Sequence, residues 1–140
     1  MKKKSILIIV IIVGLIAAYL VYDNFLRTAP AMKRLDADHQ VNAVQLYNEF
    51  DANEEASNQK YLNKIVEVTG EISEIETPEG SLPIISLKTG GFGVIKCTME
   101  APLDNEELQK IRLNSSITLK AECIGLLLDV LLIRGIINNN

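Results

Sequence analysis

The chain has 140 residues, 48% of them hydrophobic, and 14 Lys and Arg against 18 Asp and Glu give a formal net charge of −4. One domain with an appendage is the expectation at that length, while two cysteines, Cys97 and Cys123, and one histidine, His39, exclude a zinc site of four cysteines, or of two cysteines and two histidines, within a single chain. Setting aside Lys2, Lys3 and Lys4 leaves 11 basic against 18 acidic residues, a net of −7, which is a poor starting point for holding phosphate backbones.

The lysine triplet is followed by Ser5–Tyr22, a run with no charge in it. As a helix it would span roughly 27 Å, close to the hydrocarbon thickness of a bilayer. Tyr19 and Tyr22 fall at its far end, where interfacial aromatics gather. Residues 1–22 are therefore expected to form a membrane anchor that meets lipid through residues 5–22. The lysines stay in the cytoplasm and the rest of the chain lies outside it. The competing reading is a secretory signal removed at the small residues Ala29-Pro30-Ala31. Against it, the apolar run is longer than a typical signal core and Arg27 precedes the cleavage site. No cysteine follows the run closely, so acylation of a lipoprotein kind has no support.

Residues 23–37 read as a linker, with Pro30, mixed charge and no periodicity. A helical preface opens the domain, 38–140. Asp38 is placed to cap a helix from His39 onward, and Ala43, Leu46, Tyr47 and Phe50 recur at helical spacing to make one apolar face. A stripe of that kind closes the end of a sheet more often than it stacks a ligand. Asn53 starts a second short helix, with Glu54 and Glu55 in its positive first turn and Ala56 turned inward. His39 stands alone and reads as a surface or capping residue rather than a metal ligand.

Lys64–Ile75 alternates with period two. Val66, Val68 and Ile72 face one way with Gly70 among them; Glu67, Thr69, Glu71 and Ser73 face the other. That is a half-buried strand, and its central glycine implies a bend or a close backbone approach. The turn-forming Thr77–Pro83 follows, then a second strand, Ile84–Lys88, with Ile85 and Leu87 inward and Ser86 and Lys88 outward. Thr89-Gly-Gly91 turns the chain into a third strand, Phe92–Met99. There Ile95, Cys97 and Met99 face inward and Val94, Lys96 and Thr98 outward. Asp104–Arg112 changes period to a short helix, acids first and bases last, with Leu108 and Ile111 as its inward pair. Ser116–Cys123 is a fourth strand, with Ile117, Leu119, Ala121 and Cys123 inward. Leu126–Ile133 is a nearly continuous apolar fifth, extended by Ile136 and Ile137 before a frayed Asn138-Asn-Asn140.

Three strands, a helix and two strands is the connectivity of the OB-fold, a five-stranded Greek-key barrel. The expected fold is thus mostly β, a barrel with a helix between its third and fourth strands, behind a helical preface and an N-terminal transmembrane helix. The stretch from about Ala43 to Ile137 resembles the tRNA-anticodon-binding-like OB-fold family of small exported bacterial proteins. The resemblance rests on Leu46…Phe50, on Lys60-Tyr-Leu-Asn-Lys64 entering Val66-Glu-Val-Thr-Gly70, and on Cys123-Ile-Gly125 leading into Asp129-Val-Leu-Leu-Ile133. It implies a secreted or membrane-tethered OB domain. It implies no activity. With the lysine triplet and the apolar run, the expectation is a single-pass protein of the bacterial cytoplasmic membrane whose C-terminal domain faces the exterior, the periplasm if the cell has one.

No nucleophile has an activating base beside it in sequence, and no Gly-rich loop opens a helix, so no enzyme and no cofactor is expected. Glu67, Glu71, Glu74 and Glu76 read as a solvated strand surface rather than a cation site. A binding site, if it follows OB precedent, lies on the outer face of the second and third strands, at Ser86, Lys88, Phe92, Lys96 and Thr98. Two lysines and one aromatic on an acidic body leave nucleic acid as the runner-up. An unknown envelope protein or small ligand is the expected partner. Cys97 and Cys123 either form one bridge, which an oxidising compartment permits, or remain two buried free thiols.

Overall fold

The computed structural model describes residues 2–22 and 30–138, with side chains of the first helix from Ile8 onward. Linker residues 23–29, the Ala29 end of the cleavage candidate and the tail Asn139–Asn140 lie outside them. The chain forms two compact units, Met1–Pro30 and Ala31–Asn140. In the first, helix α1 (Lys2–Val21) has no polar stripe, and every described side chain from Ile8 to Tyr22 is exposed. Among the described residues no helix is long and apolar enough to cross a membrane.

The second unit starts before the expected boundary at residue 38. A short 3-10 turn, Met32–Arg34, already belongs to it. Met32 is fully buried and its N–H reaches the carboxylate of Glu100, while the Leu35 carbonyl accepts from Lys120 Nζ at 2.8 Å. These contacts make 31–37 part of the domain, not linker.

His39–Asn42 is a strand, β1, where a helix start was expected. It pairs in parallel with the following long strand, His39 opposite Val66 and Asn42 opposite Thr69. Helix α2 (Ala43–Ala52) begins only after it, capped by Asn42, whose side chain accepts from the Gln45 N–H at 2.7 Å. Asp38 instead accepts from the Ile65 N–H, tying β1 to the long strand. Helix α3 (Glu54–Tyr61) is capped by Asn53 as expected, but Ser57 and Tyr61 face inward and Ala56 is exposed. Leu46, Tyr47 and Phe50 are buried, so the aromatic stripe belongs to the core.

The body is β2 (Ile65–Glu76), β3 (Ile84–Leu87), β4 (Ile95–Met99), α4 (Asn105–Lys110), β5 (Ser116–Leu126) and β6 (Val130–Ile137). The hydrogen-bonded order β2-β3-β4-β6-β5, with β5 returning to β2, closes a five-stranded barrel and leaves β1 as an added edge. α4 stands between the third and fourth barrel strands, so the barrel connectivity is the expected one. β2 pairs with β5 through Ile65–Glu71 and with β3 from Ile72 onward. Just past this change of partner the register with β3 slips between Ile72 and Glu74, a bulge at Ser73 that kinks a strand serving two neighbours. Gly70 has the other role foreseen for it: a Cβ there would stand 2.7 Å from the Ala43 Cβ. Its bareness is what lets α2 rest on the barrel.

Val66, Val68, Ile72, Ile85, Leu87, Ile95, Cys97, Leu119 and Cys123 are all below 1% exposed, so the alternating pattern sorts inside from outside correctly. Two expectations fail. Leu108 is exposed: the six-residue α4 buries none of its own side chains, and the buried Ile111 is the C-cap residue that follows it. The apolar run from Leu126 is not one strand. β5 continues to Leu126, the chain turns at Leu127–Asp129, and β6 starts at Val130. Leu127 and Leu128 are the exposed tip of that hairpin.

Cys97 and Cys123 are free and buried. Each is the register partner of Leu132, from opposite sides of β6. Two strand spacings, about 9.5 Å, separate their backbones, beyond the roughly 7 Å a disulfide tolerates. The fold therefore opposes the bridge. Burial pushes the Cys97 thiol pKa up to about 12 and raises that of Cys123 as well.

Candidate binding surfaces

The five residues expected to form a site do not converge. Ser86 is 1% exposed, although it was expected to face outward. It lies between Glu74 on β2 and Lys96 on β4, and these longer neighbours cover a short side chain on a central strand. Its hydroxyl has no hydrogen-bond partner. Lys88 is exposed, but its ammonium pairs with Glu71 and donates to Asn114 Oδ1 at 2.7 Å. Lys96 lies 3.7 Å from Glu76. Thr98 is half-buried opposite Ile84. The outer face of β3 and β4 thus carries cations already neutralised by the acids of β2. Glu67 accepts from the Asn138 side chain. Among the described residues no group of three His, Cys, Asp or Glu side chains could hold a metal ion. His39 packs edge-on against Tyr61, ring centres 5.2 Å apart.

Phe92 is fully exposed, away from that face, at the tip of the loop between β3 and β4. The loop is built around its own hydrogen bonds: the buried Thr89 hydroxyl donates to the Gly93 carbonyl and accepts from the Gly91 N–H. Val94 N–H donates to Asp129 Oδ1 at 2.9 Å, and Val130 N–H to the Val94 carbonyl, so this loop lies beside the β5–β6 hairpin. Phe92, Leu127 and Leu128 therefore form one apolar tip at one end of the barrel, with Leu127 and Leu128 more than 80% exposed. An exposed cluster of large apolar groups marks a contact surface more often than single ones do. The run Leu126-Leu-Leu-Asp129 held the clue. Three consecutive leucines cannot all alternate inward, and an aspartate after them is a turn signal.

At the other end, a groove runs between α4 and the strands β5 and β6. It has two lobes of about 400 and 560 Å³ that share Glu107, Ile137 and Asn138. Ile111, Ile117 and Met99 give it an apolar floor, and Lys33, Lys110 and Lys120 stand along it. Volumes of this order suit a small ligand. The Glu107 carboxylate is already engaged, accepting from the Asp104 N–H in the capping box of α4. No sequence motif announces this groove, because its lysines come from three distant segments.

A family model described as tRNA_anti-like matches residues 1–137. Among solved structures, a Klebsiella pneumoniae protein named as a candidate nucleic acid-binding lipoprotein aligns with a TM-score of 0.55 at 16% identity, over 72% of this chain and 92% of its own. At that identity the likeness concerns the fold. No curated protein matches the sequence significantly.

Proposed function

The chain belongs to the tRNA_anti-like family, and on that premise we propose that it is an OB-fold binding module, not an enzyme, tethered to the bacterial cytoplasmic membrane with its barrel outside the cytoplasm. The observation that carries this reading is α1. It is 20 residues long, about 30 Å, apolar on every described side and exposed from Ile8 to Tyr22. A helix hydrophobic all round has to be covered, and lipid is the cover that suits a run of 18 uncharged residues behind three lysines. The described side chains start only at Ile8, and the sequence supplies the remaining apolar turn. Envelope placement is also in keeping with the lipoprotein character named for the Klebsiella protein. The partner is an envelope protein or a small ligand, met at the apolar tip or in the groove.

The test is a reporter enzyme fused after Asn140, combined with alkaline extraction of membranes. Activity outside the cytoplasm in the alkali-resistant fraction is expected. A cytoplasmic soluble product overturns the reading, and an exported soluble product replaces the anchor by a cleaved signal.

A second reading, single-stranded nucleic-acid binding, has one observation in its favour, the name of the Klebsiella neighbour. The paired state of Lys88 and Lys96 weighs against the β3–β4 face as its site. Titration with oligodeoxythymidine at rising salt decides it, since affinity resting on phosphate contacts falls steeply with ionic strength.

A further inference from the structure

The cations of the barrel domain are unequally matched. Lys60, Lys88, Lys96 and Arg134 have carboxylate partners within 4 Å. Lys33, Arg34, Lys64, Lys110, Arg112 and Lys120 have none among the described residues, although acids outnumber bases in this domain. Three of those six, Lys33, Lys110 and Lys120, line the groove beside α4. Arg34 and Arg112 are close to two of them in sequence. Lys120 is fixed by its bond to the Leu35 carbonyl and has no carboxylate within 4 Å, although Glu67 stands opposite it on β2. Among the described residues Glu107 is the single acid in the lining, and its carboxylate is used by the helix cap. An acidic domain thus places half of its unmatched cations along one apolar-floored groove.

We infer that this groove takes an anionic phospholipid of the bilayer, phosphate against Lys33, Lys110 and Lys120 and acyl chain along the half-buried Leu103, Ile117 and Ile137. Charge complementarity selects the headgroup, and the apolar floor separates a lipid from a free anion. The place of the groove in the chain selects the source. Met32 is where the chain enters the domain, and Lys33, the next residue, stands at the lip of the groove. Tyr22 and Met32 are ten residues apart in sequence, so the groove's first lysine follows closely on the expected anchor along the chain. The inference deepens the tethered-module reading and rests on it for the source of the lipid.

The experiment uses the full chain in dodecyl maltoside, with native mass spectrometry to count bound dioleoyl phosphatidylglycerol and dioleoyl phosphatidylcholine offered in equal amounts. The intact chain should retain phosphatidylglycerol with about tenfold preference, the effect of lysines acting on an anionic headgroup. The variant K33Q/K110Q/K120Q should lose that preference. K60Q/K64Q/K88Q, which removes as many charges elsewhere, should keep it. Lys2–Lys4 are present in all three proteins, so a difference belongs to the groove. Equal retention of the two lipids, or an unchanged preference in the groove variant, overturns the inference. So does full competition by millimolar inorganic phosphate, which would make this a free-anion site. Oligodeoxythymidine binding that the groove variant abolishes while lipid preference stays would hand the groove to nucleic acid. Urea midpoints of the variants check that the fold is intact, above all for the half-buried Lys120. A preference that persists in a chain extracted by alkali keeps the groove and discards the anchor.

Discussion

The phenolic oxygen of Tyr47 lies 3.1 Å from the backbone nitrogen of Gly93 and accepts its N–H. Through this bond α2 holds the loop that presents Phe92. The ring sits so close that a Cβ on Gly91 or Gly93 would stand 2.6 or 2.7 Å from it. Tyr47→Phe keeps the ring and leaves a buried N–H unpaired, which should cost about 1–3 kcal/mol. Urea unfolding should show a lower midpoint at unchanged slope. An unchanged midpoint would mean that the bond contributes nothing net.

Gly70 should not accept a side chain. The Ala43 Cβ in its way is fixed to the backbone of α2, so the helix itself would have to move. Gly70→Val is expected to destabilise by about 1–3 kcal/mol through overpacking. Gly70→Ala should be partly relieved by Ala43→Gly, a coupling that a double-mutant cycle measures. Strict additivity of the two would show that they do not meet.

Both thiols should be silent in the folded protein. At pH 8 a thiol-reactive dye should label neither Cys97 nor Cys123, since both are buried with raised pKa values. Denaturation without reductant should release two thiols per chain. Finding none would establish a bridge, and with it a different register around Leu132.

Glu49 should make stability depend on acid. The Lys60 ammonium bonded to it, with help from the Gln45 and Tyr61 side chains, lowers its pKa from 4.5 to about 2. A carboxylate whose folded pKa is depressed favours folding above its unfolded pKa, and this support is lost as pH falls through the folded one. Glu49→Gln should therefore lower Tm at pH 7. The gap from the intact protein should shrink below about pH 4.5 and close near pH 2. A gap independent of pH would assign the effect to packing.

The barrel was legible because its inward residues alternate: Val66, Val68, Ile95, Cys97, Leu119 and Ala121 can be placed by period alone. β1 was not, since four residues with one buried side chain, Val41, carry no period. Its location depends on an edge of β2 that the sequence does not display. The β5–β6 turn was masked for a related reason. Leu127 and Leu128 are apolar, and composition alone assigned them to a strand. Ser86 followed the alternation and is still buried, because the length of the neighbouring side chains decides exposure there. The groove lysines could not be grouped at all: Lys33 precedes the barrel, Lys110 ends α4, and Lys120 lies within β5.

The ladder that closes the barrel joins β4 to β6, with Ile95 opposite Val130 and Met99 opposite Gly135. A ribosome releases the chain N-terminus first, so β2, β3 and β4 are all made before their closing partner exists. Until Ile137 has been added, β4 has an unpaired edge and Cys97 lacks the Leu132 that shields it. The nascent domain thus has no closed barrel available to it until β6 has been made. A chain cut short after Leu126 would keep most of its core residues and still have no closed form to adopt.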